Sequence, residues 1–212
     1  MKDNKVFEFL YNNKPNPFTK KTKLLIFKSK EQDEGIIGNI IRDIYNNVSI
    51  VKIEEYNVCF ISGKYDVDIH NLFVTISDDL GYEILVHDGI YLNQNSTKND
   101  IFDYVNIYIK SYKTISMDIA DLVIAAKKED YFKLLEIISR SNFTYIYKDT
   151  QTIDIIEALL KNNLNVLQTS KVLYLHRNSI LNKIETIYKE TGLNIQKFTN
   201  AFLIKQIISK KN

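Results

Sequence analysis

The chain has 212 residues, 45% of them apolar and 12% aromatic, with six glycines and two prolines, which excludes a disordered, collagen-like or low-complexity polymer. This length buries its own core and accommodates a medium domain plus a small one. The net charge of +2 conceals an uneven distribution: residues 161–212 sum to +7, residues 1–30 to +6, and the middle, 31–160, to −11.

A basic tail on an acidic body suits a nucleic-acid-binding module joined to something else, although a lysine-rich solvated surface gives the same count. Cys59 is the single cysteine, so no internal disulfide forms and a reducing cytoplasm is favoured. Met1–Lys5 opens no apolar run of signal-peptide length, and no stretch approaches the ~20 apolar residues that cross a bilayer. A cytoplasmic protein without a membrane partner is therefore expected.

In chain order, Val6, Phe7, Phe9, Leu10 and Tyr11 make a short helical patch, broken by Asn12-Asn13-Lys14-Pro15-Asn16-Pro17. Residues 1–23 are expected as a helix and a linker. Lys23–Lys28 has the length of a buried strand, and apolar residues at 36, 37, 40, 41 and 44 predict a helix closed by Asn46-Asn47. Val48–Ile53 and Asn57–Ser62 read as a hairpin around Glu54-Glu55-Tyr56, a turn without the Asn-Gly or Asp-Gly signal. After a loop at Gly63–Asp68, Ile69, Leu72, Phe73, Ile76 and Leu80 mark a helix ended by Gly81. Tyr82–Val86 predicts a strand, and Ile101, Val105, Tyr108, Ile109 and Tyr112 a further helix.

Residues 24–115 thus form a sensing or dimerisation domain of order β-α-β-β-α-β-α, the split βαβ or ferredoxin-like pattern in which two helices cover one face of an antiparallel sheet. Residues 116–150 read as a helical connector. One helix carries Met117, Ala120, Val123 and Ile124, a second Phe132, Leu135 and Ile138, and Phe143–Tyr147 is a strand or an extended linker. Residues 151–212 change to short helices at 153–162, 166–173, 178–191 and 198–210, a small all-α domain. The fold class is α+β.

Residues 165–184 have helix-turn-helix grammar. Val166, Val172 and Leu173 are apolar on the first helix, with small Ser170 where two helices approach. About four turn residues hold a buried Leu175, and Ile180, Leu181, Ile184 and Ile187 point inward from the second helix. Asn178, Ser179, Asn182, Lys183 and Thr186 are then outward, suited to base edges and phosphates, and Thr169, His176 and Arg177 complete the expected DNA-binding set. Arg177 is assigned to a phosphate, with bidentate guanine reading as the alternative. Asn178 and Ser179 are each either helix caps or DNA contacts, and His176 either bonds within the turn or joins the interface.

No His/Cys spacing suits a metal, and no glycine pattern suits a phosphate loop. His87-Asp88-Gly89 and Asp78-Asp79 have the residue types for acid–base work but read as polar turn residues, and Cys59 reads as a buried small hydrophobe. Neither catalysis nor a cofactor is expected.

On Ile155–Asn163, Asn165-Val166, Leu175-His176-Arg177-Asn178-Ser179-Ile180 and Tyr188-Lys189-Glu190-Thr191-Gly192-Leu193, the segment 152–208 resembles the C-terminal helix-turn-helix of PucR/CdaR-type bacterial regulators. That family reads His-Arg-Asn-Thr at the turn and has arginine where this chain has Lys183, which loses bidentate guanine readout. The resemblance implies a transcription regulator on double-stranded DNA. A homodimer is the expectation for a helix-turn-helix regulator on pseudo-palindromic sites, with a small-molecule effector left open.

The resemblance also implies a degenerate GGDEF-like domain ahead of the helical one. Glu54-Glu55-Tyr56-Asn57 stands at the central turn without a glycine, so nucleotide cyclisation is not expected. The family's larger effector-sensing domain has no counterpart in these residues. The alternatives are an adaptor whose helical domain makes only protein contacts and, last, a small enzyme.

Overall fold

In the computed structural model, residues 3–63, 67–111 and 115–210 are described. The expectations that fall on Lys64–Asp66 of the loop, on Tyr112 and on the Lys211 charge lie outside the described residues. Two compact units emerge, Met1–Asp130 and Tyr131–Asn212.

The first unit contains α1 (Asp3–Tyr11), β1 (Thr22–Lys28), α2 (Glu31–Ile44), β2 (Val48–Ile53), β3 (Tyr56–Ser62), α3 (Ile69–Leu80), β4 (Leu85–Leu92), α4 (Lys98–Ser111), β5 (Ser116–Met117) and α5 (Ile119–Ala125). The strand order is β2-β3-β1-β4-β5, antiparallel except for the parallel pair β4–β5. Its first four strands have the order of the split βαβ pattern.

Strand periodicity sends Leu25 and Phe27 to one face and Leu24 and Ile26 to the other. On the first face, Ile37 and Ile41 of α2 and Ile69, Phe73 and Ile76 of α3 close a core with Cys59, Ile61 and Val86. Burial pushes the Cys59 thiol far above its usual range, leaving an inert apolar group. The opposite face is also covered, which the two-helix expectation omits. Phe18 stacks on Phe60 with centroids 5.7 Å apart, and Tyr108 of α4 meets Tyr56 edge-on at 5.8 Å. Burial on both sides explains why β1 and β3 read as continuous apolar runs rather than alternating ones.

Three segments depart from the sequence reading: the start of α2, Met117 and His87-Asp88-Gly89. Helix α2 starts five residues before Ile36, because Glu31, Asp33 and Glu34 favour a helix N-terminus electrostatically while carrying no apolar period. Asn16 pins the proline segment, donating to the carbonyls of Asn93 at 3.1 Å and Ser96 at 2.6 Å. Met117 lies in the short strand β5 rather than a helix.

The departure at His87-Asp88-Gly89 is the largest. His87-Asp88-Gly89 is the middle of β4, not a turn. Lys23, with its side chain only 3% exposed, pairs with Asp88 at 2.8 Å. A Cβ on Gly89 would stand 2.9 Å from the Leu24 carbonyl oxygen, where the β1–β4 register shifts. His87 is fully buried. Its Nδ1 lies 2.9 Å from the Met117 carbonyl and its Nε2 2.8 Å from the Tyr104 hydroxyl. A carbonyl only accepts, so Nδ1 carries the proton and Nε2 accepts from Tyr104. The ring also stacks on Tyr108 at 4.7 Å.

Burial holds the His87 imidazole down from 6.5 to about 4. The unfolded chain therefore binds a proton that the folded chain refuses, and stability is full above pH 6.5 and falls as pH drops toward 4. Unfolding of the full chain in urea between pH 6.5 and 4 is expected to lose about 3 kcal/mol through this group. His87→Gln should flatten that part of the pH profile; an unchanged slope would show that the ring charges without resistance.

Candidate nucleic-acid interface

Helix α6 (Lys128–Asn142) leads into the second unit, followed by a 3₁₀ turn at Ile146–Lys148, α7 (Thr150–Lys161), α8 (Val166–Val172), α9 (Arg177–Thr191) and α10 (Phe198–Ser209). The 3₁₀ turn replaces the strand or extended linker expected at Phe143–Tyr147, since Phe143 and Ile146 turn into the core.

Asp149 caps α7, accepting from the Thr152 amide at 3.2 Å and the Thr152 hydroxyl at 2.7 Å. The same carboxylate takes the Lys183 ammonium of α9 at 2.6 Å. Lys183 first and Thr152 second hold the Asp149 carboxyl down at about 2. Asn142 donates to the Thr191 carbonyl at 2.7 Å, and Gly192, at φ 74°, ends α9 in the left-handed conformation that a glycine tolerates best. Ile180, Ile184 and Ile187 bury the inner stripe of α9.

Between α7 and α8 the chain turns through Asn163 and Leu164, both at positive φ, and Asn165 caps α8 by accepting from Gln168 at 2.9 Å. Helix α8 closes with the Leu175 amide donating to the Ser170 carbonyl at 2.9 Å, while Tyr174 takes φ 53°. The interhelical turn therefore spans Leu173 to His176, four residues as expected in length but one position earlier than the helix bounds 166–173 and 178–191 imply.

The structure resolves which residue caps α9. The Asn178 amide donates to His176 Nδ1 at 3.2 Å, so His176 is the cap and the side chains of Asn178 and Ser179 are left to solvent. Arg177, Asn178, Ser179 and Asn182 are all exposed, and Arg177 has no ion-pair partner among the described residues. An unpaired guanidinium beside a helix N-terminus carries the charge that attracts an anion.

Several expected positions differ. Thr169 is fully buried, so its side chain is absent from the presented surface: the short helix turns it inward beside Ser170. Lys183 is half-buried and bound to Asp149 rather than standing free. Thr186 is also half-buried, its hydroxyl donating to the Asn182 carbonyl at 2.9 Å. Val172 is 51% exposed and Leu181 37%, and Leu175 is half-buried, so the apolar stripe is narrower than the periodicity implies. The sequence reading passed over Gln168 and Lys171, exposed on α8; their polar character amid the apolar positions of a first motif helix was the available signal.

Residues 152–205 match the family model described as the PucR C-terminal helix-turn-helix domain. This segment is a PucR-type helix-turn-helix domain. No curated protein matches the chain. Among solved structures, one similar to this chain is a regulator of polyketide synthase expression from Bifidobacterium adolescentis. It is 13% identical, the match covers 98% of this chain and 91% of that one, and the TM-score is 0.43. The PucR-type domain marks the chain as a transcriptional regulator. Among the described residues no helix is long and apolar enough to cross a membrane, and no group of three or more His, Cys, Asp or Glu can hold a metal ion.

The buried Thr169 hydroxyl has no hydrogen-bond partner among the described residues. Thr169→Val keeps the side-chain shape and removes an unsatisfied polar atom, so it should stabilise the protein by about 1 kcal/mol in urea unfolding and leave DNA affinity unchanged. A loss of DNA affinity without a loss of stability would return Thr169 to the interface.

Proposed function

We propose that the protein is a sequence-specific, duplex-DNA-binding transcription regulator that inserts the N-terminal turn of α9 into the major groove. The observation that carries this reading is the free, exposed set Arg177, Asn178, Ser179 and Asn182 on a helix whose opposite side is buried and whose cap is supplied by His176. Arg177 binds a phosphate, assisted by the helix dipole, and Asn178 and Asn182 face base edges with amides suited to adenine. Exposed Gln168 and Lys171 on α8 reach the flanking backbone, as the first helix of such motifs does.

Lys183 serves this interface from behind by fixing α9 to α7, and Thr186 adds little direct contact. His176 acts first as a cap and contributes through the shape of the turn. A homodimer belongs to the proposal, because two recognition helices one helical turn of DNA apart read a pseudo-palindromic site. Phe198 and Phe202, exposed one turn apart on α10, are consistent with contact to a second copy. Residues 24–115 act in sensing or dimerisation, 116–150 as the connector, and 151–212 in DNA binding.

Fluorescence anisotropy of the full chain on a duplex pool, across a salt series, tests the proposal. Binding should weaken linearly in log–log form with a slope near −0.9 per phosphate contact, and Arg177→Ala should cost roughly 1–3 kcal/mol and lower the slope by about one. Salt-insensitive binding, or equal binding by both proteins, would favour the adaptor role.

A further inference from the structure

The first unit holds a second feature, a cleft of about 270 Å³ where α1, residues 17–20 and the paired strands β2 and β3 meet. Its lining includes two packed aromatic rings. Phe18 and Phe60 lie nearly parallel, 15° apart, with Phe9 packed edge-on against Phe18 at 5.7 Å. Val6 and Val48 close the sides. The walls are fixed in advance: the Phe18 amide donates to Asn16 Oδ1 at 2.7 Å, the Thr22 hydroxyl donates to the Lys20 carbonyl at 3.0 Å, and the Thr22 and Ser62 hydroxyls meet at 2.8 Å.

The rim has one sign of charge. Lys5 and Lys20 line the cleft and are exposed; among the described residues no Asp or Glu lines it and neither ammonium group has an ion pair or hydrogen bond. Two exposed cations lining a cleft that also holds Phe18 and Phe60 match a ligand that is apolar at one end and anionic at the other. The volume lies just below the ~300–1,000 Å³ of sites for larger ligands, which sets the size at that of a small metabolite.

We propose that this cleft binds a small organic anion, an apolar or aromatic body bearing a carboxylate or phosphate, with Lys5 and Lys20 holding the anionic group and Phe18 and Phe60 the body. The site lies wholly in the first unit, and its binding is independent of whether α9 contacts DNA.

Isothermal titration of the full chain with four probes tests it: benzoate, phenyl phosphate, neutral benzamide and inorganic phosphate. Saturable binding is expected for at least one of the first two, with benzamide and inorganic phosphate at least fivefold weaker, and the stronger anion identifies the head group. The double variant Lys5→Ala/Lys20→Ala changes only exposed side chains, keeps the fold, and should weaken the anionic probes roughly five- to tenfold. The proposal is overturned if no probe saturates, if benzamide or inorganic phosphate binds as well as benzoate and phenyl phosphate, or if the double variant binds unchanged. DNA affinity enters none of these readings.

Discussion

One carboxylate organises the helical unit. Asp149 ends the 3₁₀ turn, caps α7 through Thr152 and holds Lys183 of α9 at 2.6 Å, so a single side chain fixes where one helix begins and how another is seated against it. Lys183 first, and Thr152 after it, keep this carboxylate ionised down to about pH 2, and the clamp therefore persists throughout the physiological range. The buried stripe of Ile180, Ile184 and Ile187 supplies the apolar driving force, which is non-directional; the ion pair and the caps add the geometry. With one side of α9 held and its cap provided by His176, the first turn of the helix is left chemically unspent. A protein that reads DNA needs that condition, because a side chain engaged in capping its own helix is not available to a base edge.

The sheet unit solves a different problem. Its strands are covered on both faces, so polar groups inside it must find partners at fixed positions. His87 does so with both ring nitrogens, one toward β5 and one toward α4, and thereby joins the parallel edge strand to the helix that covers the second face. The proton on Nδ1 is set by the carbonyl it meets, and the depressed basicity of the ring follows from burial. Gly89 permits the close approach of β4 to the Leu24 backbone, and Lys23 and Asp88 pair across the same two strands.

Much of this was legible where local chemistry and long-range packing agree. The spacing of Ile69, Phe73 and Ile76 and the Gly81 stop locate α3, and Ile180, Ile184 and Ile187 with Gly192 locate α9. The segment His176–Ser179 is legible by its motif, although the cap is neither Asn178 nor Ser179, the two candidates read from sequence, but His176, which only the geometry shows. What failed to read is also physical. His87-Asp88-Gly89 has the composition of a turn, and only the partners contributed by Met117, Tyr104, Lys23 and Leu24, distant in sequence or across the sheet, make it a strand. Thr169 and Lys183 looked outward because helical period is blind to which polar residues a neighbouring helix will claim. Asp149 was missed as an organising residue because its partner lies 34 residues away.

The account stands on α9 presenting its first turn to duplex DNA while its seat on α7 stays intact. Two-dimensional amide NMR of the full chain, titrated with a duplex it binds, measures this residue by residue. The largest shifts are predicted at Gln168, Lys171 and Arg177–Asn182, with those of Thr152, Ile184 and the sheet unit's His87 nearly unmoved. Shifts centred on the sheet strands or on α10, with Arg177–Asn182 unaffected, would contradict it.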